Sequence, residues 1–419
     1  MPQCPDSNHI ADRISTQKAV VDILLVYLLL FLSGSWRYNL SSDKLLLFGF
    51  LVSFGGWYLF SDRKISDRFI VYVASFSGLL FLIHLYTGGS LSLASVISST
   101  MKITLAYFIV KTVGRRFVET YLRVIIFLAV VSLAGYAIDR FALFDGLVRS
   151  LPRVGNMGYE GFLYLFRFPW HIDRNNSIFF EPGAYQAFLN AGLFLLFFTK
   201  TGSGIKRKWA YIVILTITLV TTFSTTGFLI FLVMFPVLLY KSRLLTRSSK
   251  ILVVVGTTLT VAVLSNQFYS VVVKKVEDYL TADEYDFGYS AQNRSSDAKT
   301  DIKIFKKHVF GVGHADYARE FGFMGRLNVD EKGLSSNGVT KTLAVYGLPF
   351  GLFLFASYYW AFKTMLGEHI VAGVAFLMFM MFLAAESYYI MSPACFSIIA
   401  SAFVLKGMRP EGGVYGCRV

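Results

Sequence analysis

The chain has 419 residues, of which 55% are hydrophobic and only 16% charged, and its mean hydropathy is +0.56. A soluble chain carries about a quarter charged residues, so an ordinary water-soluble globule is excluded and lipid is the expected solvent for most of the surface. The formal charge of +14 would suit nucleic acid, but in a membrane protein Lys and Arg first mark topology and anionic-lipid contacts.

A membrane span needs about 20 mostly apolar residues. On that measure the first 137 residues hold spans at Ala19–Leu32, Leu45–Phe60, Phe69–Tyr86, Leu91–Val110 and Tyr121–Ala137. The small residues Ser33, Gly34 and Ser35 imitate a signal-peptidase site, but the first run is read as a retained span. A polar segment over 138–183 follows, then spans at Ala184–Phe198, Trp209–Phe223, Gly227–Tyr240 and Ile251–Tyr269. A second polar segment covers 270–338, and Val339–Phe362, Ile370–Ala385 and Tyr389–Leu405 complete the set over 339–419. The predicted fold is therefore all-α and polytopic, with about twelve transmembrane helices. The pairs meeting near Thr225 and Glu386 are joined so tightly that either also reads as a re-entrant hairpin.

Basic residues set the orientation. With the N-terminus inside, the groups Arg63-Lys64-Arg68, Lys111-Arg115-Arg116, Lys200 to Lys208 and Lys241 to Lys250 all fall on the cytoplasmic side. The short loops assigned outside, Thr87–Ser90, Ser224–Thr226 and the turn near Glu386, contain no Lys or Arg, as the positive-inside rule requires. Both termini are then cytoplasmic and the two polar segments are periplasmic loops. The second is far longer than an ordinary connection, which points to function. Its aromatic residues favour partial folding, with amphipathic helices on the bilayer.

Cations crowd these loops: Arg140, Arg149, Arg153, Arg167, His171 and Arg174 in the first, and Lys274 through Arg319, with Arg294 and His314, in the second. Arginine holds phosphate through paired hydrogen bonds, so a cationic vestibule fits an anionic lipid headgroup. At the mouth of the sixth span, Arg174 and Glu181 precede Pro182. That arrangement reads either as a charged helix start or as an anion clamp with a base. Lys102 lies inside a span, where it is read as snorkelling to the cytoplasmic end. Glu386 either lines an acceptor site or caps a turn. The acidic run Glu277 to Asp286 matches no ligand spacing, and Cys4, Cys395 and Cys417 pair in no disulfide or zinc pattern. No metal and no cofactor are expected.

The run Arg174-Asn-Asn-Ser-Ile-Phe-Phe-Glu181-Pro182-Gly-Ala-Tyr-Gln-Ala-Phe188 resembles the Arg-x-x-Gly-x-Phe-x-Glu-Pro segment of bacterial O-antigen and exopolysaccharide repeat-unit polymerases, in the O-antigen polymerase and ligase superfamily. Thr222-Phe-Ser-Thr-Thr-Gly-Phe228 is similar to that family's break between two joined spans. Phe310-Gly-Val-Gly-His314 is similar to its late-loop turn, and Ser336-Asn337 with Tyr346-Gly347-Leu348-Pro-Phe-Gly351 to the helix start that follows.

The resemblance implies an architecture like that of GT-C-type membrane glycosyltransferases in a bacterial inner membrane. The implied substrate is an undecaprenyl-pyrophosphate-linked oligosaccharide, and the implied reaction polymerises repeat units without a metal. A flippase and a chain-length regulator are implied partners, and nucleic acid is not. Arg174 and Arg294, with Arg167 and Glu386 beside them, would hold pyrophosphate and saccharide. Glu181 or His314 would serve as base and Asn337 as an orienting donor. Family members often carry a His where this chain has Ser336. Two alternatives share the hydropathy plan: a ligase that passes polymer to lipid A core, and a lipid-linked saccharide transporter.

Overall fold

A computed structural model describes residues 6–40, 42–141, 146, 150, 151, 153, 154, 159–161, 165–167, 173–198, 208–241, 290–324 and 335–406. Helix dominates. The first group comprises α1 (Asp6–Phe31), α2 (Trp36–Leu40), α3 (Ser42–Phe60), α4 (Asp67–Tyr86), α5 (Leu93–Val113) and α6 (Phe117–Arg140), the last two joined by a 3-10 turn over Gly114–Arg116. Then come α7 (Pro182–Phe198), α8 (Lys208–Thr221), α9 (Thr225–Lys241), α10 (Ser290–Lys307), α11 (Gly313–Met324), α12 (Gly338–Leu366), α13 (His369–Ala385) and α14 (Pro393–Lys406). The predicted span Ile251–Tyr269 and the acidic run 277–286 lie outside the described residues.

Local chemistry sets the helix ends. Ser92 Oγ accepts from Ser95 N at 3.2 Å to start α5, and Gly114, at φ +63°, stops it. Asn337 Oδ1 accepts from the amides of Val339 (3.0 Å) and Thr340 (3.1 Å), which caps α12. Gly367 in the left-handed region closes α12.

The core is built around α5, whose Ile103, Leu105, Ala106, Tyr107, Ile109 and Val110 are all buried, with α3, α4 and α14 packed against it. Facing outward, large apolar side chains stay exposed: Leu59 at 68%, Phe127 at 63% and Ile370 at 59%. Water does not tolerate such a belt, whereas acyl chains do. Four stretches, Ser42–Phe60, Asp67–Tyr86, Leu93–Arg140 and Gly338–Leu366, are long and apolar enough to cross a membrane, and the third holds both α5 and α6. Several helices are thus of membrane-crossing character, and the chain reads as a membrane protein. Helices α7, α8, α13 and α14 are apolar but shorter.

The fold is mostly helical, as expected, with one small addition: Arg153–Val154, Tyr159–Gly161 and Leu165–Arg167 form a three-stranded antiparallel meander, β1 to β3. Strands of two or three residues leave no alternation in a sequence, which is why they were not predicted. In the second polar segment, α10 and α11 each bury one face on protein. Their Ile304, Tyr317 and Phe321 bury against Ala344 and Val345 of α12, forming a separate small core.

The helix ends fall into two groups. At one end, Lys111 Nζ meets Asp62 Oδ2 at 3.1 Å, Arg116 Nη2 meets Asp22 Oδ2 at 2.7 Å, and Lys18 bonds both Asp22 and the Thr112 carbonyl. At the other end the turns after α1, α4, α8 and α13 meet the described parts of both polar segments. Trp36 N donates to Ile178 O (3.1 Å), Phe180 N to Gly34 O (3.1 Å), Asn175 N to Thr221 O (2.9 Å) and Ala315 N to Ser90 O (3.1 Å).

Candidate functional site at the loop-bearing end

The 174–181 segment is held from both sides. Asn175, fully buried, donates through Nδ2 to Ser132 Oγ (3.2 Å) and Thr221 Oγ1 (3.0 Å), while its Oδ1 accepts from Ser177 N. Ser177 sits at φ +55° and Phe223 at +46°, so two non-glycine residues take a costly backbone conformation next to each other's segment. Arg174 Nε donates to the Thr222 carbonyl at 2.8 Å. The break before α9 therefore positions Arg174, and Gly227 behind it receives Asn190 Nδ2 on its carbonyl at 3.1 Å.

Glu386 lies against Gly183, two residues after Glu181. A Cβ on Gly183 would reach Glu386 Oε1 at 2.0 Å, so only glycine lets the buried Glu386 carboxylate lie over the start of α7. Tyr388, exposed at the turn between α13 and α14, feels both acids: burial of its surroundings, then Glu181 and Glu386, push its phenol up. Lys341 Nζ stands 5.3 Å over the Tyr388 ring. Glu386 is thus both packed in a turn and at the site.

His314 stands beyond Lys341. Its Nε2 is 2.9 Å from Tyr346 Oη. Solvent reaches the residue although protein packs around its ring. That surrounding protein, then the charges of Lys341 and Lys102, push its pKa down to about 4. His314 is therefore neutral at neutral pH, and a weak base.

Backbone packing fixes His314. Gly311 and Gly313 have φ of +88° and +75°, and Gly347 interrupts α12 at φ +78°. A Cβ on Gly347 would lie 2.3 Å from Phe310 C, and one on Gly311 2.6 Å from Tyr346 C. The Gly-x-Gly turn and the Tyr-Gly-Leu-Pro break are two halves of one main-chain crossing, closed by Leu348 N donating to Val309 O at 2.8 Å.

Asn337 serves as the cap of α12, and its side-chain oxygen accepts there. Ser336 gives both N and Oγ to Asp297 Oδ2 at 2.8 Å. Asp301, fully buried, accepts from Tyr317 Oη (2.7 Å), Ser335 Oγ (2.7 Å) and Thr340 Oγ1 (2.6 Å), and burial pushes its carboxyl up to about 6 despite those donors. Arg167 ends β3 and Arg294 lies in α10, but their side chains are outside the described residues.

Sequence reasoning missed Lys341, Tyr346, Tyr388 and Asp301; Lys102 is half-buried in the middle of α5. One signal was available: Lys341 lies in the first turn of an apolar helix, where the dipole disfavours a cation.

Compared with models of protein families and with curated protein sequences, the chain matches none.

Proposed function

We propose that this chain is a bacterial inner-membrane glycosyltransferase that polymerises undecaprenyl-pyrophosphate-linked oligosaccharide units at the periplasmic face. The observation that carries this reading is the convergence of the Arg174–Glu181 segment with Glu386, Lys341 and His314 at one end of an apolar helix assembly. In this reading about twelve spans place both termini in the cytoplasm and that end in the periplasm.

The reaction is a single transfer. An acceptor hydroxyl of the new lipid-linked unit forms a bond to the anomeric carbon of the growing chain, whose bond to pyrophosphate breaks. The lipid pyrophosphate leaves with the electron pair, and the hydroxyl proton passes to a base. Glu181, with Glu386 beside it, is the better placed acceptor, since His314 is a weak base while its proton affinity is depressed. Arg174 and Arg294, with Arg167, supply positive charge to the departing group. A flippase that delivers units and a regulator of chain length are the partners this chemistry requires.

The test is genetic. Deletion of the gene should leave core carrying one repeat unit on a polysaccharide gel, and complementation with Arg174→Ala should not restore long chains at unchanged protein level. Bare core with accumulated lipid-linked polymer would instead assign a ligase, and units retained inside would assign a transporter.

A further inference from the structure

We infer that a cavity between α1 and α6, at the end of the helices away from the two polar segments, binds the phosphate of an anionic phospholipid headgroup. The inference needs only that the chain lies in a membrane, and it holds whichever reaction the loop-bearing end performs.

The cavity measures about 60 Å³. Its walls include Asp22 and Ile23 of α1, with Arg116, Glu119, Thr120 and Arg123 at the start of α6. One water needs about 10 to 15 Å³ of such space, so a larger polar group fits. Its acids are already spanned by cations. The buried Asp22 is held by Arg116 Nη2 at 2.7 Å and by Lys18, and Glu119 Oε1 accepts from Arg123 Nη2 at 2.6 Å. Three cations therefore stand against two acids, which leaves one positive charge.

Donors remain for a ligand. Each guanidinium reaches its acid through Nη2 alone, and among the described residues neither has a further partner. A guanidinium carries five N–H donors, and the two side chains are 49% and 57% exposed, so their other N–H groups stay available where the cavity opens outward. Thr120 adds a hydroxyl. It is only 6% exposed, and among the described residues its side chain makes no hydrogen bond, whereas a buried hydroxyl is ordinarily paired. Two guanidinium groups and one unpartnered hydroxyl around a space of this size suit a tetrahedral oxyanion, which can accept from all three.

The surroundings favour a lipid over free phosphate. Ile23 in the cavity wall is itself exposed, and so are Leu24 and Phe127, farther along α1 and α6 toward the loop-bearing end. Acyl chains cover such side chains. Helix α6 belongs to a stretch of membrane-crossing character, which puts its start at headgroup depth. Basic pockets between helices at that depth hold anionic headgroups, and a headgroup of single negative charge balances the charge left in the cavity.

The test uses the purified full chain, stripped of lipid in detergent, with bound lipid read by native mass spectrometry. Dioleoyl phosphatidylglycerol should bind at least about tenfold more tightly than dioleoyl phosphatidylcholine. Arg123→Gln should weaken phosphatidylglycerol binding about tenfold and Thr120→Val about fivefold. Lys64→Gln, which removes an exposed cation between α3 and α4 at the same end, should leave it unchanged. Equal affinity for the two lipids overturns the proposal, as does equal weakening by Lys64→Gln or full binding in both cavity variants. Displacement of the lipid by equimolar inorganic phosphate would put free phosphate in the cavity and overturns the lipid assignment. Wild type alone supplies the check should the variants not fold. Phosphatidylglycerol carrying a photoreactive diazirine in its acyl chain should label peptides that contain Leu24 or Phe127, and label found only elsewhere also overturns it.

Discussion

Asp301 shows how a single carboxyl ties a loop to a helix. Its folded-state pKa, about 6, lies above the ordinary 3.8, so the folded state binds the proton more tightly than the unfolded chain does. Stability is therefore greatest below the ordinary value and declines as pH rises through the interval from about 4 to about 6, by up to on the order of 3 kcal/mol. Asp301→Asn should flatten that slope in thermal unfolding at pH 4, 5 and 6; an unchanged slope would show that another group titrates there. His314 works in the opposite sense: its pKa is depressed, so stability drawn from its neutral form is lost as pH falls from 6.5 toward 4. Arg174 was legible as a functional candidate from its place before Glu-Pro, but its bond to the Thr222 carbonyl was not, because the partner is distant in sequence and brought close by folding. Gly183→Ala isolates the role of Glu386. The new methyl would displace the carboxylate end of a side chain rather than backbone, so product formation should fall at least about tenfold with the unfolding temperature little changed. Loss of fold instead would make Glu386 a packing residue only.

Among elements, α12 carries the most information. Its cap at Asn337 and its break at Gly347 followed by Pro349 are visible as residue types, and both occur in the structure. What the break packs against was not visible, since a main-chain crossing with Gly311 leaves no periodic signal. Gly347→Ala should destabilise the protein by about 3 kcal/mol or more, because the added carbon collides with the Phe310 backbone and a positive φ is strained for alanine. A melting temperature within a degree of wild type would contradict that crossing. The apolar helices were readable from hydropathy, whereas the path of α10 and α11 was not. An amphipathic pattern states that one face is buried but not whether lipid or protein covers it. Helices α8 and α14, with 14 residues each, extend only about 21 Å, less than the hydrocarbon thickness. α8 ends and α14 begins at the loop-bearing face, where Thr222 to Ser224 and Glu386 to Ser392 provide polar backbone.

For the whole molecule, the alternation of helix ends is the organising feature. Lys18, Arg116, Lys111 and Asp62 mark one end, and the segments rich in candidate chemistry meet at the other. Hydropathy and the distribution of Lys and Arg made this division legible; the packing of the Gly311 turn on the Gly347 break stayed hidden because it joins segments that no local pattern links. The functional account requires the loop-bearing end to face the periplasm, where a lipid-linked saccharide would arrive. Single cysteines at Arg319, exposed on α11, and at Lys64, exposed between α3 and α4, in a chain whose own cysteines are replaced, measure this directly with a membrane-impermeant thiol reagent on intact spheroplasts. The account predicts labelling at position 319 and protection at position 64 until the membrane is opened; labelling at 64 with protection at 319 would contradict it.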